Sequence, residues 1–184
     1  MSDYRFNDTV NIPYLHVKEW VRDLYKKVGM SNQDAEIAAE VQVNADLRGV
    51  YSHGIQHCQT YVRRILDGGI NPKGQLEILK DAKGAVIADA HNAIGQYSSF
   101  RAMELAIDRA RMYGSSSIIV KNGEHIGTMA YYAMMASKED MIGMCFTQGA
   151  ANTMAPYGGI IALLGNNPMG YAIPAYSKPD VVLD

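Results

Sequence analysis

AVIADAHNAIGQYSSFRAMELAIDRARMYGSSSIIV, residues 85–120, runs from apolar to amphipathic and back to apolar. Ala85-Val86-Ile87-Ala88 is short and β-branched enough for a strand. From Ser98 to Tyr113, Phe100, Met103, Leu105, Ala106 and Ala110 mark the apolar side of an amphipathic helix, which Gly114 is placed to stop. Ser117-Ile118-Ile119-Val120 then reads as a second, buried strand. Strand, helix and strand in succession argue for an α/β core.

The pattern continues downstream. Thr128 to Ser137 reads as a helix rich in Ala, Met and Tyr, and Met141 to Phe146 as a strand. Ile160 to Leu164 and Tyr171 to Ile173 are candidate short strands, and Val181-Val182-Leu183 reads as a strand reaching the last residue, Asp184. Because termini ordinarily fray at the surface, that ending predicts a portion of a longer chain. Upstream, Leu76 to Leu79 is a strand candidate joined to Ala85 through Asp81-Ala82-Lys83-Gly84. Before it the texture is helical. One amphipathic helix is expected over 13–28, stopped by Gly29. A second starts at Asn32 behind Ser31 as N-cap and ends near Leu47-Arg48-Gly49. A third follows Ser52 and ends at Gly68-Gly69. The expected division is a helical segment, 1–75, and the N-terminal part of an α/β domain, 76–184.

Bulk properties exclude several classes. Hydrophobic residues make up 48% and charged residues 20%, as in ordinary globular proteins, so disorder is not expected. Lys+Arg total 17 against Asp+Glu 19, and no basic block exceeds two residues, so a nucleic-acid partner is not expected. No apolar run approaches the ~18 residues of a membrane span. The opening MSDYRFNDTVNIPY has no signal-peptide core. Cys58 and Cys145 form no CxxC pair and read as free thiols, which points to a cytoplasmic setting.

Chemistry centres on the histidines. His16 reads as a surface residue, and His91, in a polar turn, as solvated or locally hydrogen-bonded. His53 and His57 would share a face of a helix at i and i+4. An imidazole that titrates near neutrality suits proton transfer at a carbinol carbon. HxxxH could also bind metal, but HExxH is absent, and a helix start with two incidental histidines fits these residues as well. His125 lies in Lys121-Asn122-Gly123-Glu124-His125-Ile126-Gly127, a polar loop beyond an apolar strand, where α/β proteins gather ligands. Residues 151–159 and Gly165-Asn166-Asn167-Pro168 form two further irregular loops. GxGxxG, GxxxxGK[ST] and GxSxG are absent.

Taken together, ADLRGVYSHG (45–54), YVRR (61–64), GINP (69–72), GEHIG (123–127), APYGG (155–159), GNNP (165–168) and the closing Val182-Leu183-Asp184 resemble the malate/L-lactate dehydrogenase family of the non-Rossmann type. That family includes sulfolactate, ureidoglycolate and diketogulonate oxidoreductases. The resemblance implies a helical N-terminal segment joined to an unusual NAD(P)-binding α/β domain, incomplete in this chain, in homodimers or higher assemblies. It implies hydride transfer between NAD or NADP and a 2-hydroxy or 2-oxo acid. His53 matches the histidine of the SHG motif and Ser52 its substrate-bonding neighbour. His125 matches the histidine assigned in some members as acid/base. Asn167, Pro168 and Asp184 match positions at the cofactor, and Asp184 could also hold an imidazole in its productive tautomer. Where the family commonly has an arginine, able to clamp a carboxylate bidentately, this sequence has His57, assigned here to the substrate side. Two alternatives stand beside this reading. One is a non-catalytic binding or assembly module. The other is a metal-dependent hydrolase using His53 and His57. The leading reading requires no metal.

Overall fold

The computed structural model describes residues 10–149 and 152–184. The opening nine residues, and the Ala150–Ala151 start of the 151–159 loop, lie outside the described residues. Among the described residues no helix is long and apolar enough to cross a membrane.

The helices α1 (Tyr14–Lys27) and α2 (Asn32–Leu47) form the expected N-terminal pair. Ser31 caps α2, its Oγ accepting from the Asp34 N–H at 3.1 Å. Gly29, at φ +105°, makes the turn between them where an L side chain would be strained. Val21 and Tyr25 of α1, with Ala35, Ala38 and Ala39 of α2, are fully buried. The small alanines let the two helices approach closely while Tyr25 fills the remaining space.

The third helix departs from expectation. Two 3₁₀ turns, Tyr51–His53 and Ile55–His57, precede α3 (Cys58–Leu66). His53 and His57 are therefore not i and i+4 on one α-helix, and Ser52 caps no helix. The cause is Gly54, whose φ −86° and ψ −150° interrupt helical backbone. Two side chains of α2 hold it there. Gln42 Nε2 donates to the Gly54 carbonyl at 2.9 Å, and Asp46 Oδ2 accepts from the Ile55 N–H at 2.8 Å. A Cβ on Gly54 would stand 1.8 Å from the Asp46 carboxylate.

The α/β expectation holds in outline. β1 (Glu77–Ala82) and β2 (Ala85–Asp89) are antiparallel, and β3 (Ser117–Lys121) joins β2 in parallel after the crossover α4 (Gly95–Tyr113). Helix α4 begins one turn earlier than the apolar spacing alone indicates. Ile94 and Tyr97, at its start, pack into the same core as α1–α3. Helix α5 (Met129–Ser137) follows, then the antiparallel sheet β4 (Gly143–Phe146), β5 (Met169–Ile173) and β6 (Val181–Leu183). Residues 160–164 form no strand. A single bridge between Met154 and Leu164 stands there instead, and Ile160, Ile161, Leu163 and Leu164 are exposed. Apolar content suggested a strand at 160–164, but among the described residues only the single bridge to Met154 pairs with it.

Register explains how the second sheet is used. Met144 pairs with Tyr171, Phe146 with Met169, and Ile173 with Val181. Alternation then places Met144, Phe146, Met169, Ile173, Val181 and Leu183 on one exposed face. The opposite face carries Gly143 and Gly170, pressed against the α5 backbone so closely that a Cβ would meet it at 2.1 and 3.0 Å.

Candidate functional site

The fold brings His53, His57 and His125 together from two distant parts of the chain. Ring centroids lie 5.5 Å apart for His53–His125, 5.6 Å for His57–His125 and 6.0 Å for His53–His57. His53 and His125 line a cleft of about 350 Å³, walled further by Arg64, Glu124 and Met129 and closed by Gln148, Asn166 and Pro168. His57 packs on the cluster without lining the cleft. Ser52 Oγ sits 2.9 Å from His53 Nδ1, so its immediate partner is the imidazole.

The His125 loop is held from three sides. Tyr61 Oη is 2.6 Å from His125 Nδ1. Tyr132 donates to the Ile126 carbonyl at 2.5 Å. Gly95, opening α4, lies so close that a Cβ there would meet the Glu124 and His125 carbonyls at 2.4 and 2.3 Å. With Nδ1 bound to Tyr61, Nε2 is the nitrogen left for chemistry. The strand ends add a further tie. Asp89, closing β2, accepts from the His91 N–H at 2.9 Å and from Asn122 Nδ2 at 3.0 Å, and Lys121 Nζ lies 3.1 Å away. This fixes both loops that leave the parallel pair. It also holds the Asp89 carboxyl down at about 2, mainly through the His91 and Asn122 hydrogen bonds.

The cluster repels protons. Burial pushes His125 down to about 4, helped by the neighbouring imidazoles and Arg64. Burial and His57 also lower His53, while the Asp184 carboxylate pulls it the other way. The free site therefore presents His53 and His125 as neutral imidazoles at neutral pH, each able to accept a proton or to donate a hydrogen bond.

The remaining assigned positions are less concentrated. Pro168 lines the cleft, and Asn167 beside it is exposed with φ +35°. Asp184 makes no hydrogen bond to an imidazole. Its carboxylate accepts from the Met129 and Ala130 N–H groups at 3.3 and 2.9 Å, capping α5 from β6. That corrects its expected tautomer-holding role, because the unpaired N–H groups of a helix start compete for the same oxygens. His16 is exposed, and His91 Nε2 meets Glu77 at 2.6 Å. Among the described residues no group of three or more His, Cys, Asp and Glu is arranged to hold a metal ion, so the hydrolase alternative finds no ligand set.

Three residues at the site carried no assigned role in the sequence: Tyr61, Arg64 and Glu124. Their signal was present. His57, Tyr61 and Arg64 follow one another at spacings of four and three, which places them on one side of α3 and its lead-in turn. Gln96 is buried against Tyr61 and Gly127 with no hydrogen-bond partner of good geometry for either amide atom. Sequence gives no hint that a glutamine inside a helix would lie there.

Comparison with known proteins identifies the family. Residues 12–184 match the malate/L-lactate dehydrogenase family. The chain is 38% identical to the malate dehydrogenase of Pyrococcus abyssi over 170 residues, 92% of this chain and 47% of that protein. It is 38% identical to the L-sulfolactate dehydrogenase of Methanocaldococcus jannaschii over 155 residues, 84% of this chain and 45% of the relative. The solved malate dehydrogenase of Pyrococcus horikoshii superposes with a TM-score of 0.93 at 34% identity, covering 100% of this chain and 52% of that one. The chain thus spans about half the length of the relatives it matches. By sequence and by fold, it belongs to the malate/L-lactate dehydrogenase family.

Proposed function

We propose that this chain supplies the proton-transfer side of an NAD- or NADP-dependent oxidoreductase that interconverts 2-hydroxy and 2-oxo acids. The observation that carries the reading is the meeting of His53 and His125 at 5.5 Å on one cleft wall, with His125 Nδ1 occupied by Tyr61. In the oxidative direction, neutral His125 takes the hydroxyl proton through Nε2 as the carbinol carbon loses hydride. In reduction, the protonated ring returns that proton to the developing alkoxide. His53 polarises the same oxygen, and Ser52 orients His53. His57 stands on the substrate side, where an imidazole replaces a permanent cation. A carboxylate arriving beside His53 and His125 favours their protonated forms, so substrate binding supplies what reduction requires.

The nicotinamide supplies or accepts the hydride. The cleft suits its reactive end. Met129 and Ile126 give apolar wall, Asn166 a polar amide, and Pro168 a rigid edge. Asn167, Pro168 and Asp184 are assigned to the cofactor side, with residues 1–75 as the helical segment and 76–184 as the N-terminal part of a cofactor domain outside the Rossmann class. A homodimer or larger assembly in the cytoplasm completes the reading, supported by the free thiols of Cys58 and Cys145.

The test is NAD(P)H oxidation by the full-length protein with a panel of 2-oxo acids. Changing His125 or His53 to Gln is expected to lower kcat by about 10²–10⁴ for at least one of the two. Unchanged turnover in both variants rules the assignment out. A second reading, a binding or assembly module without turnover, is suggested by the exposed apolar face of β4–β6. NADH and NADPH titration separates the two, since such a module binds neither.

A further inference from the structure

Arg64 stands on the last turn of α3, where the Gly69 and Ile70 N–H groups bond its carbonyl at 2.8 and 3.1 Å and fix its backbone. Its guanidinium borders the same cleft as His53 and His125. Among the described residues of that cleft it is the single permanent cation, and Glu124 is the single carboxylate. The two are paired, Arg64 Nη2 to Glu124 Oε2 at 2.7 Å.

We infer that Arg64 is the anion-binding residue of this cleft and that Glu124 is its resident competitor, so that the site takes a 2-oxo acid through one carboxylate only. The inference rests on the oxidoreductase reading above for the identity of its ligand.

Three physical points support it. A guanidinium presents five N–H donors in a planar fork that matches a carboxylate edge to edge. Glu124 holds Nη2, the nitrogen shared by both bidentate edges of the guanidinium, so an incoming carboxylate competes with it directly. The pair is also asymmetric. The Arg64 side chain is 47% exposed and free to re-aim, while the Glu124 side chain, 13% exposed, stays fixed in the cleft wall. Charge count then sets selectivity. The Arg64–Glu124 pair is neutral overall and His53 and His125 are uncharged, so a second carboxylate on the ligand would meet Glu124 with no fixed cation to offset it. Arg64 also contributes to keeping His125 unprotonated. A carboxylate that neutralises Arg64 removes that contribution, which couples anion binding to proton uptake at His125.

The experiment uses full-length protein and two inert anions, oxamate with one carboxylate and oxalate with two. Calorimetric titration without cofactor reads binding apart from turnover. Wild type is expected to bind oxamate more tightly than oxalate, with proton uptake seen as a dependence of the heat on buffer ionisation. Arg64→Gln should weaken oxamate by about tenfold or more, and Arg64→Lys, which keeps charge but loses the fork, by less. Glu124→Gln should tighten oxamate and narrow the preference against oxalate. Thermal melts within a few degrees of wild type confirm folding. The inference is overturned if wild type does not bind oxamate, if Arg64→Gln binds it as wild type does, if Glu124→Gln weakens it, or if oxalate is preferred. Loss of NAD(P)H-linked turnover with these binding results intact would instead count against the oxidoreductase reading.

Discussion

His125 shows how one residue's environment sets its chemistry. Its ring lies against Tyr61, His53 and His57, and burial with its neighbours pushes it down to about 4 from an ordinary 6.5. Two pH predictions follow from that direction. The unfolded chain binds a proton near 6.5 and the folded one near 4, so His125 makes stability fall as pH drops through that window and adds no further loss below it. Thermal melts of His125→Gln should show a shallower decline between those values than wild type. Catalysis should carry the same signature. kcat/KM for oxidation should be level above about pH 5, while kcat/KM for reduction should fall about tenfold per pH unit up to neutrality, because it needs the protonated ring. Opposite slopes in the two directions would remove His125 from the acid/base role. Tyr61→Phe tests positioning: kcat should fall with KM nearly unchanged, since the hydroxyl reaches His125 Nδ1 and not the cleft.

Elements, rather than single residues, place these rings. The Gly54 turn sets His53, and α2 dictates that turn through Gln42 and Asp46. Gly54→Ala would drive a methyl into the Asp46 carboxylate, and a loss of roughly 1–3 kcal/mol in denaturant unfolding is expected, with lowered turnover. Helix α5 is capped by Asp184, just past β6, and not by its own Thr128. Asp184→Ala should cost about 1 kcal/mol, and no more than a few tenths would mean that water serves the helix start equally well. The β2 end depends on Asp89. Its carboxyl, held at about 2 against an ordinary 3.8, stabilises the fold above 3.8 and loses that contribution as pH falls through about 2. Asp89→Asn should therefore be less stable than wild type at neutral pH and approach it near pH 2, a window separate from that of His125.

At the level of the whole molecule, the outer face of β4–β6 is the conspicuous feature. Phe146, Val181 and Leu183 are 59%, 61% and 62% exposed, and the strand register makes them one continuous apolar surface with Met144 and Met169. Apolar surfaces of this kind ordinarily find a partner. Light scattering of the full-length protein should give a mass above that of its monomer, and Phe146→Lys should shift the distribution toward the monomer. A wild-type monomer at micromolar concentration would contradict the oligomer assignment.

The sequence by itself determined the elements whose signals are local. The Ser31 cap, the Gly29 and Gly114 stops and the apolar periodicity of α1, α2 and α4 are all properties of near neighbours in the chain. So was the family, because several separated blocks occur in order. The tertiary structure decided what depends on distant residues. Periodicity could not report that α2 carboxylate and amide groups would break the helix after Ser52, nor that residues 160–164 would lack a pairing strand. It could not report that Asp184 would turn to α5. Above all, His53 and His125 lie 72 positions apart in the chain, and only packing of α3 against the start of α4 and the loop after β3 joins their rings with Tyr61, Arg64 and Glu124. Proton affinity follows from that packing, since burial and neighbouring charge act through space and leave no mark on the order of residues.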